Sequence, residues 1–386
     1  MTAPGGPSLR DELLAAFPEL SSIPPPAWFV GGASRDLVLG RPPADVDLAA
    51  EEGYAAAEAL AAAGGRIVPL GRERFPTWRV IFGERACDVS DVIGATIEED
   101  LGRRDFTINA IALPLFGPEE IIDPFGGADD IGARRIRMVA RRNLVEDPLR
   151  VLKAVRLAAT LGFTIDPGTL RACAEEASRL GMIAGERVGA ELEMTFSGGA
   201  PAVFGPLLRE TGIDEVLFGR RVPPFVAPLP AGDPVVVWAA IYLGGTPDEI
   251  RRAAKNLRWP AALASSVAAL LRSLAEARAG VNDVETLDAV LYDAGRETAG
   301  RIARLAAAAG EERLARAVEE RLTARGAELF SIAPLLNGEE IGAATGLGPG
   351  PGVGALKREL LLEPIAGRIR GRDDALAWLG SRRISR

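Results

Sequence analysis

Two aspartates, Asp45 and Asp47, stand two residues apart in a short segment, Asp45 to Leu48, that alternates polar and apolar residues. Such alternation predicts a β-strand, in which residues i and i+2 face the same side. Two carboxylates side by side repel each other unless a cation lies between them, and oxygen ligands suit magnesium. The pair therefore predicts a site for two Mg²⁺ ions that activate a hydroxyl and stabilise departing pyrophosphate. An exposed strand end is the alternative.

A glycine pair precedes the aspartates. Gly31 and Gly32 end one predicted strand, Trp28 to Val30, and open a predicted helix, Ala33 to Gly40. Without β-carbons, backbone amides can approach a phosphate closely, and the N-terminal end of a helix favours anions. Arg35, one turn into the helix, could reach a triphosphate. GGASRD followed by DVD thus predicts a phosphate and metal site, although a glycine pair by itself is equally typical of a tight turn.

A third carboxylate, Asp88, lies in the second of two predicted strands, Arg79 to Phe82 and Ala86 to Val89, which flank a Gly83-Glu84 turn. On a strand beside the aspartate pair, Asp88 could complete the metal site or act as a catalytic base. Simple solvation at the surface is the alternative.

Asp147 and Arg150 are three residues apart in a segment whose apolar residues recur at helical spacing, so we expect them to share one face of a helix that ends at Gly162. A carboxylate accepts hydrogen bonds and a guanidinium donates them. Cytosine and adenine present an amino donor beside a ring-nitrogen acceptor, and such a pair of side chains can bind both groups. Uracil and guanine instead present a carbonyl acceptor beside an N–H donor, which the same pair leaves without partners. Each mismatch in a dry pocket costs about 1–3 kcal/mol. The alternative is a surface salt bridge of small energetic value.

Length and composition describe an ordinary globular protein. The 386 residues predict two or three domains, and 48% hydrophobic with 25% charged residues is typical of soluble chains. No apolar run approaches the roughly 20 residues of a membrane helix, and the first residues do not resemble a signal peptide. The two cysteines, Cys87 and Cys173, make neither a disulfide framework nor a zinc site. These features predict a cytoplasmic protein.

The sequence contains no histidine. This excludes Ser-His-Asp hydrolases, histidine-ligated zinc sites and histidine bases, so any chemistry must depend on carboxylates, arginines, backbone groups and metal ions. The net charge of −8 argues against a nucleic-acid partner, but residues 131–156 carry eight basic residues against two acidic ones. We call this segment the basic stripe. It is compatible with phosphate contacts, and a solvated helix face is the alternative.

The chain changes character near its middle. Residues 1–140 alternate strand-like and helix-like segments, among them an alanine-rich helix over 53–63 and a helical or buried segment over 106–113. From about residue 144 the pattern is helical, with Pro/Gly-rich breaks at 222–233 and 346–354. The predicted architecture is an α/β head followed by an elongated helical remainder.

Several segments together resemble the class II tRNA nucleotidyltransferase and bacterial poly(A) polymerase family. In the family's order, the five motifs are FVGGASRDLVLGRPPADVDLA, EEDLGRRDFTINAIA, IDPFGGADDIGARRIR, EDPLRVLKAVRLAATLGFTID and GERVGAELEM. A less specific sixth segment, NGEEIGAATGLGPGPGVGALKRELL, is similar to the family's tail. The resemblance therefore covers most of the chain.

The resemblance implies an α+β fold with a head like that of DNA polymerase β over residues 1–140. An elongated all-helical neck (141–215), body (216–325) and tail (326–386) would follow. It implies template-independent addition of C and A, from CTP and ATP, to a tRNA 3′ end with two Mg²⁺ ions. Asp45 and Asp47 would bind the metal ions. Nucleotide contacts would come from Gly31, Gly32, Arg35, Arg103, Arg104, Asp105, Asn109, Asp147, Arg150, Lys153 and Arg156. Within this set, Asp147 and Arg150 would select the base, and the Asp105 carboxylate would accept from the ribose 2′-hydroxyl.

This chain departs from the family pattern in two places. Lys153 stands where the family usually has arginine, which keeps the charge but loses the planar fork. The segment between Asp88 and Arg103 is short. Family members that add the terminal A usually carry a longer loop here, and members restricted to CC usually lack it. The resulting hypothesis is an enzyme that adds only CC.

Other functions share part of this pattern. A poly(A) polymerase would use the same chemistry on other RNA 3′ ends, although LGRERFPTWRVIF lacks the histidines of the proteobacterial group. A non-catalytic RNA-binding relative would be expected to lose the metal ligands, and Asp45 and Asp47 are intact. A small-molecule nucleotidyltransferase would share the head but not the helical remainder.

Overall fold

The computed structural model describes residues 8–70, 76–197, 203–226, 229–230 and 232–382. The chain divides into two compact units. The first comprises Met1–Glu191 with Leu207–Arg221, and the second comprises Leu192–Pro206 with Val222–Arg386. The predicted boundaries between head, neck, body and tail stay predictions.

The first unit contains a mixed β-sheet. Its strands are β1 (Ala27–Phe29), β2 (Val46–Ala50), β3 (Arg66–Pro69), β4 (Thr77–Phe82), β5 (Arg85–Asp91) and β6 (Leu113–Pro114). They lie in the order β3-β4-β5-β2-β1-β6. Strands β2 and β5 pair in parallel, and the other pairs are antiparallel. The parallel pair at the centre brings together the two strands that carry the predicted carboxylates.

The helices of this part of the chain are α1 (Leu9–Ala16), α2 (Gly31–Val38), α3 (Gly53–Ala62), α4 (Ile97–Leu101), α5 (Gly127–Gly132), α6 (Arg141–Glu146), α7 (Leu149–Leu161), α8 (Pro167–Glu176), α9 (Gly185–Ser197), α10 (Phe204–Thr211) and α11 (Ile213–Phe218). Short 3₁₀ helices cover Pro18–Ser22, Thr107–Asn109 and Ala177–Met182. The divisions between the two units fall within α9 and within α10.

Alternation along the strands builds the core of the head. Leu48, Val80 and Val89 are buried on neighbouring strands and pack with Phe29 and with Leu60 of α3 in one apolar cluster. Because successive strand residues point to opposite faces, Asp47 and Asp88 are left on the other face, half-buried. Burying the apolar face therefore fixes where the carboxylates point.

The expectation of one helix through Asp147 and Arg150 is wrong. The chain forms two helices, α6 ending at Glu146 and α7 beginning at Leu149, and Asp147 between them has extended backbone angles (φ −133°, ψ 92°). Pro148 explains the break, because a residue that precedes proline is disfavoured in the α region. Gly162 ends α7 in a left-handed conformation, as predicted.

A small parallel sheet interrupts the helical part of the first unit. Strand β7 (Arg135–Ile136) pairs with β8 (Thr164–Ile165), which follows α7 directly. The predicted neck is therefore not entirely helical. This pairing ties the end of α7 to the chain that follows α5.

The second unit is helical throughout its described residues. Its helices are α12 (Pro234–Ile241), α13 (Pro247–Asn256), α14 (Ala261–Gly280), α15 (Val284–Ala308), α16 (Glu312–Leu329), α17 (Gly338–Thr345), α18 (Pro351–Ile365) and α19 (Arg372–Ser381). The rings of Phe196 and Trp259 lie 5.1 Å and 4.3 Å from that of Trp238 on the apolar helix α12. A separate apolar cluster joins α17, α18 and α19 through Ile341 and Leu360, among others.

The predicted fold class, a mixed α/β head followed by a mostly helical remainder, is confirmed. None of the described helices combines the length and the apolar character needed to cross a bilayer. Two segments used in the sequence analysis lie outside the described residues. They are residues 1–7, on which the expectation about a signal peptide depends, and residues 71–75, within the histidine-free LGRERFPTWRVIF. Residues 227–228 and 231 of the predicted break at 222–233 also lie outside the described residues. The cytoplasmic location stays a prediction.

Asp288 on α15 generates a prediction about stability. Its carboxylate is 2% exposed and binds Arg321 Nη2 at 2.6 Å and Arg325 Nη1 at 2.8 Å, both from α16. Removing one side of a buried ion pair leaves uncompensated charge, so Asp288→Ala should lower the free energy of unfolding by about 3–5 kcal/mol. Urea denaturation followed by circular dichroism measures this loss.

Asp293 on the same helix provides the control. It also binds an arginine, Arg358, but that pair lies at the surface with 40% and 46% of the side chains exposed. Asp293→Ala should cost no more than about 1 kcal/mol. Equal losses in the two variants would contradict the account.

Candidate active site

The turn between β1 and α2 lies directly against Asp47. Gly31 has a left-handed backbone (φ 65°), and a β-carbon added there would come within 3.3 Å of Asp47 Oδ2 and of Arg104 Nη1. A β-carbon added at Gly32 would lie 3.5 Å from Asp47 Oδ2 and 3.6 Å from Arg35 Nη2. The missing side chains at both glycines keep the backbone, a carboxylate and two guanidinium groups within one small space. The structure thus brings together five of the predicted site residues.

Asp47 and Asp88 occupy neighbouring positions on the parallel strands β2 and β5. Asp45 precedes β2 and is exposed, because the strand begins one residue later than the sequence predicted. Burial, and then the negative charges of Asp88 and Asp45, raise the pKa of Asp47, while Arg104 and Lys153 act in the opposite direction. Asp47 therefore lies in a local excess of negative charge.

Arg79 partly balances that charge. Its Nε and Nη2 atoms donate to the two oxygens of Asp88 at 2.7 and 2.8 Å. This hydrogen bond, offset in part by burial, raises the pKa of Arg79, as do the charges of Asp45 and Asp47. Each oxygen of Asp88 accepts one bond from Arg79, so a metal ion or a proton would have to use the remaining lone-pair sites of this carboxylate.

The carboxylate set fits a magnesium site completed by substrate. Among the described residues, no group of three or more His, Cys, Asp or Glu side chains is close enough to hold a metal ion unaided. Magnesium, however, is commonly held by one or two carboxylates together with substrate phosphates. Asp45 and Asp47 supply such a pair, with Asp47 directly against the Gly31-Gly32 turn, and the negative charges of Asp88 and Asp45 add to burial in raising the pKa of Asp47.

A chain of polar contacts links α2 to α7 beneath this turn. Arg35 Nη1 donates to Asn109 Oδ1 at 3.0 Å, and Asn109 Nδ2 donates to Asp105 Oδ1 at 3.0 Å. Lys153 Nζ lies 2.5 Å from the other oxygen of Asp105. Burial by itself would raise the pKa of Asp105, but Lys153, Asn109 and Arg150 outweigh it and lower that pKa. Asp105 is therefore a buried anion whose oxygens are engaged by protein groups.

The third family motif, IDPFGGADDIGARRIR, packs against the second, EEDLGRRDFTINAIA, and supports it. A β-carbon at Gly127 would come within 2.1 Å of the carbonyl oxygen of Thr107, so only glycine allows α5 to pack against the 3₁₀ turn that carries Asn109. Asp130, fully buried, accepts from Thr107 Oγ1 at 2.6 Å and from the guanidinium groups of Arg135 and Arg137. These contacts fix the Thr107–Asn109 turn beneath the site.

A cleft of about 980 Å³ opens in the same unit. Four of the predicted nucleotide-binding residues line it: Arg103, Arg104, Asp147 and Arg150. The rest of the lining is Leu70, Pro76, Thr77, Ser90, Asp91, Ile93, Asp100, Glu146, Pro148, Met182, Ile183, Ala184 and Arg187. Arg104 belongs to both places, since its Nη2 binds Asp100 at 2.9 Å while its Nη1 reaches the glycine turn. This arginine connects the carboxylate site to the cleft.

Asp147 and Arg150 both line the cleft but do not pair with each other. Arg187 Nη2 donates to the two oxygens of Asp147 at 3.0 and 3.2 Å. Arg150 Nη1 donates to the backbone carbonyl of Asn143 at 3.1 Å. The surface salt bridge considered as an alternative is therefore not formed, and an acceptor and a donor face one cavity.

Much of the basic stripe is already paired. Arg135 and Arg137 bind Asp130, and Arg141 binds Glu175 and Glu176. Arg156, predicted to contact nucleotide, does not line the cleft; its Nε lies 2.5 Å from Glu191, a buried carboxylate of α9. These arginines therefore form ion pairs within the unit, although Arg135, Arg137 and Arg141 also stay partly exposed.

Sequence reasoning missed three residues that support the site. Arg79 could have been found, because a two-residue turn at Gly83-Glu84 places Arg79 opposite Asp88 in the hairpin. Asn143, 1% exposed, donates to the carbonyls of Gly102 and Arg104 at 3.0 and 2.7 Å and fixes the arginine turn. The contacts of Asn143 and the contact of Arg187 with Asp147 could not be predicted from a local sequence pattern, because the partners lie about 40 residues away in sequence.

The connection between β5 and α4 is short. It comprises residues 92–96, and Thr96 caps α4 by accepting from the backbone N–H of Glu99. The longer loop found in part of the family has no counterpart here.

Comparison with known proteins agrees with this arrangement. A family model described as the poly A polymerase head domain matches residues 27–137. A second, described as the probable RNA and SrmB-binding site of polymerase A, matches residues 162–227. Together the two models cover the sheet, the glycine turn and residues 162–227.

Curated relatives align with part of the chain. A CC-adding tRNA nucleotidyltransferase of Geobacter sulfurreducens is 43% identical over 43% of this chain and 39% of its own length. An A-adding tRNA nucleotidyltransferase of Deinococcus radiodurans is 44% identical over 45% of this chain and 41% of its own. The chain thus spans about two fifths of the length of these relatives, and their names differ in the nucleotide added.

A solved structure extends the likeness along the chain. The CCA-adding enzyme of Bacillus stearothermophilus, determined in complex with CTP, superposes with a TM-score of 0.70 at 27% identity, covering 97% of this chain and 98% of that one. The ordered motifs, the matching head and RNA-binding models and this near-complete likeness lead to one conclusion: the chain is similar to class II CCA-adding nucleotidyltransferases along most of its length.

Proposed function

We propose that this protein adds nucleotides to the 3′ end of a tRNA, without a nucleic-acid template, from CTP or ATP. One observation carries the proposal: Asp147 and Arg150 line the same cleft. Arg104 also lines that cleft and connects it to the aspartates. A carboxylate acceptor and a guanidinium donor match the amino group and ring nitrogen of C and A. They leave the corresponding groups of U and G unpaired.

The residues have distinct parts in the proposed reaction. Gly31, Gly32 and Arg104 would receive the triphosphate, since backbone amides and a guanidinium favour phosphate oxygens. Asp45 and Asp47 would hold the Mg²⁺ ions. The bound ions would lower the pKa of the hydroxyl and stabilise the negative charge of the departing pyrophosphate.

The remaining groups act on position and charge. Lys153 and Asn109 keep Asp105 ionised and fixed, which holds the turn that carries Arg103 and Arg104 close to α7. In the proposed complex, Asp105 would contact the ribose through a lone-pair site of Oδ2 that Lys153 leaves open. Asp88, bound by Arg79, supplies negative charge beside Asp47.

We further propose that addition is restricted to CC. The support is the short connection over residues 92–96, because family members that add the terminal A usually carry a longer loop in this place. The relatives' names include CC-, CCA- and A-adding enzymes, so the nucleotide added must be measured directly.

Primer extension tests the proposal. The protein, Mg²⁺ and labelled CTP or ATP are incubated with tRNA ending before CCA, tRNA ending in CC, and an unstructured RNA. We expect C on the first RNA and no A on the second. Efficient A addition to the second would rule out the CC restriction. A long A tail on the unstructured RNA would indicate a poly(A) polymerase, and no incorporation on any RNA would favour a non-catalytic RNA-binding protein.

Arg150→Ala tests base selection. Loss of the donor removes one of the two groups that reject uracil, at about 1–3 kcal/mol, so the CTP-over-UTP ratio of kcat/KM should fall roughly 5- to 150-fold. Arg142→Ala removes an exposed arginine of α6 that does not line the cleft and should leave the ratio unchanged. An unchanged ratio in Arg150→Ala would eliminate the proposed role of this residue.

Asp47→Asn tests the carboxylate site. Turnover should fall by about 1000-fold or more, since the metal contribution is several kcal/mol, while tRNA binding in a filter assay should stay close to wild type. Loss of both activities would instead mean that the fold had been damaged.

The same variant makes a stability prediction of defined sign. A carboxyl whose pKa is raised on folding contributes stability at low pH and loses it as pH rises through that pKa. Asn cannot ionise, so in EDTA at neutral pH the Asp47→Asn variant should have a higher Tm than wild type. Adding Mg²⁺ should raise the wild-type Tm more than that of the variant. A lower Tm of the variant in EDTA would contradict the assigned electrostatics.

A further inference from the structure

Arg187 on α9 makes the closest contact to the proposed base-selecting carboxylate. Its Nη2 atom donates to both oxygens of Asp147, at 3.0 and 3.2 Å. The side chains of Arg187 and Asp147 are 37% and 35% exposed, and both line the cleft beside Arg150. The pair is therefore part of the cavity wall.

Asp147 needs such a partner because no helix fixes its side chain. The residue lies in the break between α6 and α7, and within its own segment its carboxylate accepts only a long bond, 3.4 Å, from the backbone N–H of Leu149. Arg150 is anchored separately, at the carbonyl of Asn143. The two side chains that would select the base are therefore held by different contacts: Asp147 by Arg187, and Arg150 by the carbonyl of Asn143.

We propose that Arg187 is a positioning residue for base selection, which rests on the function proposed above. A carboxylate has about four lone-pair sites, and Arg187 occupies positions on both oxygens from one side. The remaining sites then point in a fixed direction for the amino group of cytosine or adenine. Without Arg187 the carboxylate can rotate about two side-chain torsions, so fewer of its orientations match the base.

A purely structural role for Arg187 can be separated from this one. Helix α9 is held to α7 by a second contact, the 2.5 Å pair between Arg156 and the buried Glu191. Val188 and Leu192 of α9 are also buried. Loss of the Arg187 contact should therefore leave α9 in place and change the orientation of Asp147.

The test compares Arg187→Ala and Arg187→Lys with wild type by kcat/KM for CTP and for UTP on tRNA lacking its CCA end. The CTP-over-UTP ratio of Arg187→Ala should fall about 10- to 100-fold, mainly through slower CTP addition, because a hydrogen bond to a charged group is lost from the site. Arg187→Lys, which keeps one charged donor, should recover part of the ratio. Equilibrium binding of CTP and UTP without RNA gives a second readout that does not depend on turnover.

Arg179→Ala is the matched control. Arg179 binds Glu176, is 45% exposed and does not line the cleft, so its loss should leave the ratio at the wild-type value. Equal losses for CTP and UTP in Arg187→Ala, with an unchanged ratio, would overturn the inference and leave the proposed function intact. A wild-type protein that does not prefer CTP over UTP would overturn the proposed function itself. If Arg187→Ala does not fold, Arg187→Lys provides the test, because lysine donates with a different geometry. A wild-type CTP-over-UTP ratio in Arg187→Lys would then contradict the positioning role of Arg187.

Discussion

Two carboxylates at adjacent positions on parallel strands set the constraint that organises the first unit. Asp47 and Asp88 are placed side by side by the pairing of β2 with β5, and the apolar residues that alternate with them are buried on the opposite face. The strands cannot shift by one residue without exposing that core, so the repulsion is built into the sheet. Positive charge must compensate it: Arg79 binds Asp88, and Arg104 lies close to Asp47. A substrate phosphate with Mg²⁺ would complete the balance in the proposed complex.

The motifs beyond the aspartates act largely as supports for one another. Gly127 and Asp130 of the third motif fix the turn that carries Asn109, and Lys153 of the fourth neutralises Asp105 of the second. The fifth motif holds α7 through Glu191, and its Arg187 binds Asp147. Several charged residues that look available for substrate in the sequence are thus engaged within the protein.

The sequence predicted four of the six strands of the head sheet, the glycine turn and the helical second half, because each has a local pattern. Strands β3 and β6 were missed, and most of the residues around the carboxylates were implied by the family resemblance. Strand pairing was less accessible: the register of Asp47 against Asp88 is a contact between segments 41 residues apart, although the hairpin register of Arg79 could have been read from its two-residue turn. The break at Asp147 had a local signal, Pro148, that helical spacing concealed. The partners of Arg187, Arg156 and Asn143 depend on how α6, α7 and α9 pack, which no local pattern encodes.

The central claim is that one cleft joins base selection to the carboxylate site. A crystal structure of the protein with CTP and Mg²⁺ tests this most directly. The account predicts the cytosine amino group within about 3.2 Å of the Asp147 carboxylate, the ring nitrogen facing Arg150, and the triphosphate between the Gly31-Gly32 turn and Arg104. A cytosine bound elsewhere, with Asp147 and Arg150 still facing an empty cleft, would contradict it.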